Sequence, residues 1–179
     1  MIETPAVSVD RKLGVRELLA FIGMALGMFL AVLNIQIVGS SFDQIKAGLA
    51  AGPEEVSWVL TSALIAEVIM IPMSGWLSRL MSTRWLFTGC ALGFGAASIG
   101  CALATNIEQM IFFRAAQGFM GGGLAPMIWA AIYVSFPRRY QGYLLAIVSL
   151  LGTSAVALGP SLGGWISEEA SWPWLFYFS

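Results

Sequence analysis

The chain contains no histidine, only two cysteines, and few charges: 11% of its 179 residues are Asp, Glu, Lys or Arg. Each scarcity excludes something. Without histidine, the commonest metal ligand and acid–base side chain is missing. Cys90 and Cys101 fall on one apolar helical segment. Their separation of eleven residues spans about 16 Å of helix, beyond disulfide reach. They read as packing residues, and neither a metal site nor a redox pair is expected. No nucleophile constellation is visible, so neither an enzyme nor a cofactor is expected. Nine basic residues are scattered without a patch, which argues against nucleic acid as a partner. The net charge of −1 selects no partner. Linkers and low-complexity tracts are absent, and no second, soluble domain is visible.

What is present is apolar surface. The chain is 58% hydrophobic with a mean hydropathy of +0.81, more than a soluble domain needs. Five hydrophobic spans approach the ~20 residues that a bilayer requires. They run over Leu18–Ser40, Val56–Leu77, Trp85–Ala104, Met110–Phe136 and Tyr143–Ile166, and a sixth begins at Trp174. The fold class is therefore an all-α membrane protein. The first span follows Arg11, Lys12 and Arg16, as a signal peptide would. Its apolar stretch is too long for that, so it reads as a retained helix.

The basic residues set an orientation. Arg11, Lys12, Arg16, Arg79, Arg84, Arg138 and Arg139 fall on one side of alternating spans, and only Lys46 on the other. Asp43, Glu54, Glu55, Glu108, Glu168 and Glu169 collect with Lys46. The positive-inside rule then places the N-terminus, residues 1–17, in the cytoplasm.

Two ionisable residues remain inside spans, Glu67 and Arg114. A charge at mid-bilayer costs about 2.5–3.5 kcal/mol on insertion scales, so each needs a partner or a wet cavity. Helical rise puts Arg114 about 9 Å and Glu67 about 16 Å below the outer surface. A long arginine side chain spans much of that difference, so a direct pair or a water-bridged contact is one expectation. The alternatives are an arginine that snorkels outward and a neutral, protonated glutamate. Pro72 frees the carbonyl of Val68, beside Glu67, and so favours a hydrated site.

Glycines and prolines mark the helices. Gly118, Gly121, Gly122, Gly123 and Pro126 make the fourth span weak and bare, suited to close packing or bending. Gly23/Gly27, Gly89/Gly93, Gly118/Gly122 and Gly159/Gly163 all fit G-x-x-x-G, a pattern that mostly reports helix packing. In the fifth span Ala155 is followed by Gly159, Pro160, Gly163 and Gly164. Proline there removes a backbone hydrogen bond and clashes with the carbonyl of Val156. The glycines let another helix approach.

These motifs together resemble a known family. The fifth-span spacing g-x-x-x-G-P-x-x-G-G, with alanine at its first position, resembles the signature of proton-driven drug antiporters in the major facilitator superfamily. Arg114-Ala-Ala-Gln117-Gly118 resembles that superfamily's fourth-helix motif R-x-x-q-G. Leu33-Asn34-Ile-Gln36-Ile-Val38 is similar to the first-helix L-D-x-T-I-V of its fourteen-span branch, with asparagine in place of aspartate. Trp58-Val-Leu-Thr-Ser62 and Ile71-Pro72-Met-Ser-Gly75-Trp-Leu77 resemble the second helix of that branch. Trp172-Pro-Trp174-Leu-Phe176 resembles the W-x-W-x-F opening the sixth. The loop motif G-x-L-a-D-r-x-G-r-k stands as Gly75 to Arg84 without its aspartate or second glycine. The resemblance covers residues 18–179 and is strongest to EmrB-type inner-membrane subunits of tripartite efflux pumps.

The resemblance implies that residues 18–179 form most of an N-terminal six-helix bundle. It implies export of hydrophobic or amphipathic drugs and toxic compounds against protons, across a bacterial inner membrane. A periplasmic membrane-fusion adaptor and an outer-membrane channel would be partners. Arg114 and Glu67 would serve proton coupling. Asn34, Gln36 and Gln117 would line the substrate cavity. Gly159, Pro160, Gly163 and Gly164 would form the antiporter motif, with Gly159 and Pro160 packing the fifth span against the other half. The family has twelve or fourteen helices, so five spans alone are expected to be inactive. Two other readings stand beside this one: a facilitator-type uptake carrier, which the fifth-span signature disfavours, and a small non-transporting membrane protein with an assembly or regulatory role.

Overall fold

The computed structural model describes residues 14–49, 51–169 and 173–177. Arg11, Lys12 and Trp172 lie outside the described residues, as do the side chains of Glu168 and Glu169. The described residues form helices α1 (Val15–Ser40), α2 (Phe42–Gly48), α3 (Pro53–Leu80), α4 (Thr83–Ala102), α5 (Ile107–Gly122), α6 (Leu124–Ser135), α7 (Arg138–Glu169) and α8 (Trp174–Tyr177). Five stretches are long and apolar enough to cross a membrane: α1, α3, α4, the combined α5–α6, and α7 as far as Ile166.

Local chemistry sets several boundaries. α3 opens with Pro53, whose missing N–H costs nothing at the first helical position. Glu55 folds back to accept from the Gly52 N–H at 2.8 Å. α5 is capped by Asn106, whose Oδ1 accepts from Gln109 N at 2.9 Å. The fourth span breaks at Gly123, between α5 and α6. This is the weak point expected from three consecutive glycines ahead of Pro126. The short α2 was not foreseen, because its seven residues carry too little apolar periodicity to stand out. Pro72 and Pro160 both lie inside continuous helices.

Two helix pairs organise the bundle, α3 with α5 and α1 with α7. Both are parallel. Val59, Ala63 and Glu67 of α3 face Arg114, Gly118 and Gly122 of α5 at a constant offset of 55 residues. A Cβ on Gly118 would fall on the backbone of Ala63, and one on Gly122 on that of Glu67. Gly159 of α7 lies against Gln36 of α1, and Gly163 against Ile37 and Ser40. Lipid gives no hydrophobic reward for helix association, so such close backbone packing supplies much of the cohesion. Exchanging the first three spans with the next three converts the pair 1–5 into 4–2. The pairing therefore has the form of an inverted repeat.

The interior is apolar at both ends. Phe21, Ala25 and Met28 pack with Ile128, Ile132 and Val148 at one end. Ile37, Val38, Ile45, Met110 and Phe176 pack at the other. Outward positions such as Leu92, Val134 and Leu150 are apolar and exposed, as a lipid-facing surface requires. The polar residues described next lie between these layers.

Candidate functional site

Arg114 is 2% exposed and is among the largest fully enclosed side chains of the bundle. Its Nη1 donates to Asn34 Oδ1 at 2.7 Å and to Gln117 Oε1. Its Nε donates to the carbonyl of Val59 at 3.5 Å. The guanidinium carbon stands 6.0 Å from the centroid of the Phe176 ring, at the limit of cation–π range. Gln117 Nε2 passes the chain on to Ser98 Oγ, which donates to the carbonyl of Phe94 at 3.0 Å. One side chain thus ties α1, α3, α5 and α8 together, and through Gln117 it reaches α4.

Geometry explains why an arginine holds this position. Val59 and Asn34 approach from different helices, and Gln117 lies one turn along α5. The guanidinium carries five donors in a rigid planar fork, which can serve several acceptors at once. Asn34 and Gln117 are each 1% exposed, so their oxygens would otherwise be buried without donors. The arginine does not snorkel to the headgroups.

Glu67 is half-buried. It borders a cavity of about 30 Å³ that is also lined by Asn34, Arg114, Gln117 and Phe94. No hydrogen bond joins Glu67 to Arg114 among the described residues; the hydrogen-bonded partners of Arg114 are all neutral. The cavity floor is bare because Gly118, Gly121 and Gly122 line it.

The remaining sequence candidates are placed differently. Gln36 does not line this cavity; it packs on Gly159 at the α1–α7 contact. Gly159 and Gly163 face α1 within this same bundle, whereas Pro160 is exposed and Gly164 has open space beside it. The antiporter-like motif is therefore split: one face binds α1, and the other remains outward. The helical period forces this, since positions 159 and 163 share a face and 160 is turned about 100° away.

Sequence reasoning missed Ser98 and the Val59 carbonyl. Ser98 is one small polar residue in a largely apolar helix, and a backbone carbonyl carries no sequence signal. Cys90 and Cys101 are both buried and free. No grouping of His, Cys, Asp and Glu among the described residues is fit to hold a metal ion.

Parallel helix pairs in an inverted-repeat arrangement, with a charged cluster and a cavity between them, define a class: the helical secondary transporters. The chain belongs to the Major Facilitator Superfamily, whose sequence profile matches residues 24–179. It is 46% identical over 156 residues to the colistin resistance protein EmrB of Acinetobacter baumannii, covering 87% of this chain and 30% of that protein. It is 34% identical over 163 residues to the fatty acid resistance protein FarB of Neisseria gonorrhoeae, covering 90% of this chain and 32% of that protein. It is 30% identical over 166 residues to the multidrug export protein EmrB of Escherichia coli K12, covering 93% and 32%. The chain thus spans about a third of the length of these relatives. Among solved structures, it superposes on a bacterial homologue of the lysosomal transporter Spinster, inward-facing and occupied. The TM-score is 0.75 at 14% identity, over 93% of this chain and 41% of that one. That likeness is one of fold.

Proposed function

We propose that this chain supplies the first helical bundle of a proton-driven exporter of hydrophobic or amphipathic compounds in a bacterial inner membrane. The observation that carries the reading is the enclosed Arg114–Asn34–Gln117 cluster beside Glu67. An intramembrane ionisable group facing a cavity, and not lipid, is the arrangement that transport pathways use. The names of the relatives, which include multidrug export and resistance proteins, support drug-like cargo. In this reading Glu67 carries the proton, because arginine stays protonated and Asn34 cannot titrate. Arg114 holds the cavity wall in register. The exposed face of α7 around Pro160 meets the second bundle, and alternating access rocks one bundle against the other. The basic flanks Arg79, Arg84, Arg138 and Arg139 face the cytoplasm. A periplasmic adaptor and an outer-membrane channel are the partners that the EmrB-type resemblance implies.

The test is transport in proteoliposomes carrying the complete transporter that contains this segment. Efflux of an amphipathic dye should accelerate under an imposed proton gradient and stop when an ionophore dissipates it. Dye efflux indifferent to the gradient would overturn proton coupling.

A further inference from the structure

We infer that the cavity between α1, α3 and α5 is a binding site for a small monovalent anion, with chloride as the ligand that tests it. Three features of the site carry this. First, Arg114 is a fully enclosed cation whose hydrogen-bonded partners, Asn34 Oδ1, Gln117 Oε1 and the Val59 carbonyl, are all uncharged. Glu67 on the same wall is not hydrogen-bonded to it, and a buried charge without a hydrogen-bonded counter-charge is costly. Second, Asn34 Nδ2 is buried and has no hydrogen-bond partner. Its orientation is fixed, because Oδ1 accepts from an arginine that can only donate. Exchanging the amide atoms would set donor against donor. Third, Asn34 and Arg114 both line the same cavity of about 30 Å³, enough for one small ion or water.

The chemistry of the wall selects among occupants. The side-chain oxygens of Asn34 and Gln117 each already accept a bond from the positive Arg114. What the cluster still offers is a donor, Asn34 Nδ2, beside a positive charge. Apart from Glu67, the rest of the wall is apolar side chains and glycines, Met28, Val32, Ile35 and Phe94 among them, which present no strong side-chain hydrogen-bonding groups. A metal cation is disfavoured by Arg114. A water could accept from Nδ2 and donate to Glu67 or to the second lone pair of an amide oxygen, but it would leave the charge on Arg114 without an offset. An anion accepts from Nδ2, needs to donate nothing, and offsets the charge on Arg114. Glu67 is the one acid on this wall. It therefore opposes the anion when ionised and tolerates it when neutral. The asparagine at 34 is central, since a carboxylate in its place would supply the negative charge internally.

Binding is read on the full chain in lipid nanodiscs by chloride-35 line broadening, with gluconate as the replacement anion. Excess broadening that saturates with protein and is displaced by bromide is expected. Asn34→Asp is close to isosteric and keeps an acceptor for Arg114. It should weaken chloride on the order of tenfold or more, through like-charge repulsion at short range. Glu67→Gln removes the competing charge and should tighten chloride severalfold. The unfolding midpoint should rise in chloride relative to gluconate for the unaltered chain and for Glu67→Gln, because a ligand of the folded state stabilises it. Asn34→Asp should lose that difference. No saturable broadening in the unaltered chain would mean that the cavity holds water alone, and the inference would fall. It also falls if Asn34→Asp binds chloride as the unaltered chain does, or if Glu67→Gln binds it less. None of these readouts involves transport, so the result stands apart from whether export is proton-driven.

Discussion

Arg114 Nη1 donates to Asn34 Oδ1 at 2.7 Å, joining side chains eighty residues apart in the middle of an otherwise apolar bundle. A second bond from the same nitrogen holds Gln117. Removing the arginine would strand both oxygens, each at about 1–3 kcal/mol for a buried unsatisfied group. Arg114→Ala should therefore lower the thermal midpoint of the purified protein substantially. Arg114→Lys keeps the charge but loses the planar fork, so its loss should be intermediate. Size-exclusion melting curves compare the three, and an unchanged midpoint in Arg114→Ala would refute the structural role.

Glycines on the same helices should respond oppositely to alanine. At Gly118 a Cβ would collide with the Ala63 backbone, while at Gly164 nothing lies within 4 Å. Gly118→Ala should destabilise by forcing α3 and α5 apart. Gly164→Ala meets open space and gains helix propensity, about 0.4–1 kcal/mol by loss of unfolded-chain freedom. Paired unfolding measurements in one detergent decide it. Equal shifts for the two variants would contradict the packing.

Gly159 is predicted to matter through α1. A side chain there would run into Gln36, the partner within the bundle. Gly159→Leu should abolish export while leaving membrane insertion intact. Gln36→Gly removes the Cβ that it would strike and should restore part of the activity in the double variant. Transport assays on the four combinations test the coupling. Independent effects of the two substitutions would place Gly159 elsewhere in the mechanism.

Topology gives an independent check. The two native cysteines are buried, so a cysteine-free background should be reachable by replacing both with alanine. Single cysteines at Arg84 and Arg138 should resist an impermeant thiol reagent added outside intact cells. Cysteines at Lys46 and Glu108 should react with it. Reaction at position 138 from outside would reverse the orientation.

Much of the architecture was readable from hydropathy because each span is long and nearly uncharged. The five observed spans start a few residues before the expected ones, most at α7, which starts at Arg138, whereas the third and fourth end slightly early, at Ala102 and Ser135. Charged and aromatic residues at the headgroup level continue a helix without adding hydropathy. The break at Gly123 followed from local composition. The site was less legible. Glu67 and Arg114 stood out as intramembrane charges, yet their relation did not, because it depends on α3 and α5 running parallel with an offset of 55 residues. Ser98 joined the cluster through a register that no single-helix pattern encodes. Gln36 looked equivalent to Asn34 in sequence. Two residues along a helix is about 200° of rotation, so it faces α7 and not the cavity.

The last prediction concerns the proton. A proton-driven exporter needs a group that gains and loses charge along the pathway. Away from the first turns of the described spans the only acidic residue is Glu67, and it borders the cavity that Arg114 also lines. Asn34 occupies the place where related transporters are expected to carry aspartate, and its amide cannot take up a proton near neutral pH. Its Oδ1 accepts from Arg114. In the complete transporter, Glu67→Gln should abolish drug-induced proton release and leave drug binding measurable, because the variant keeps the shape of the side chain and removes only its titration. Asn34→Asp adds a second titrating group beside Arg114, so export should survive with an altered pH dependence. The decisive measurement is proton release on drug addition, followed with a pH-sensitive dye in lightly buffered detergent solution. A full signal from Glu67→Gln would move the proton carrier to the second bundle. A lost signal with intact binding assigns it to Glu67, and leaves Arg114 as the fixed charge against which that proton is exchanged.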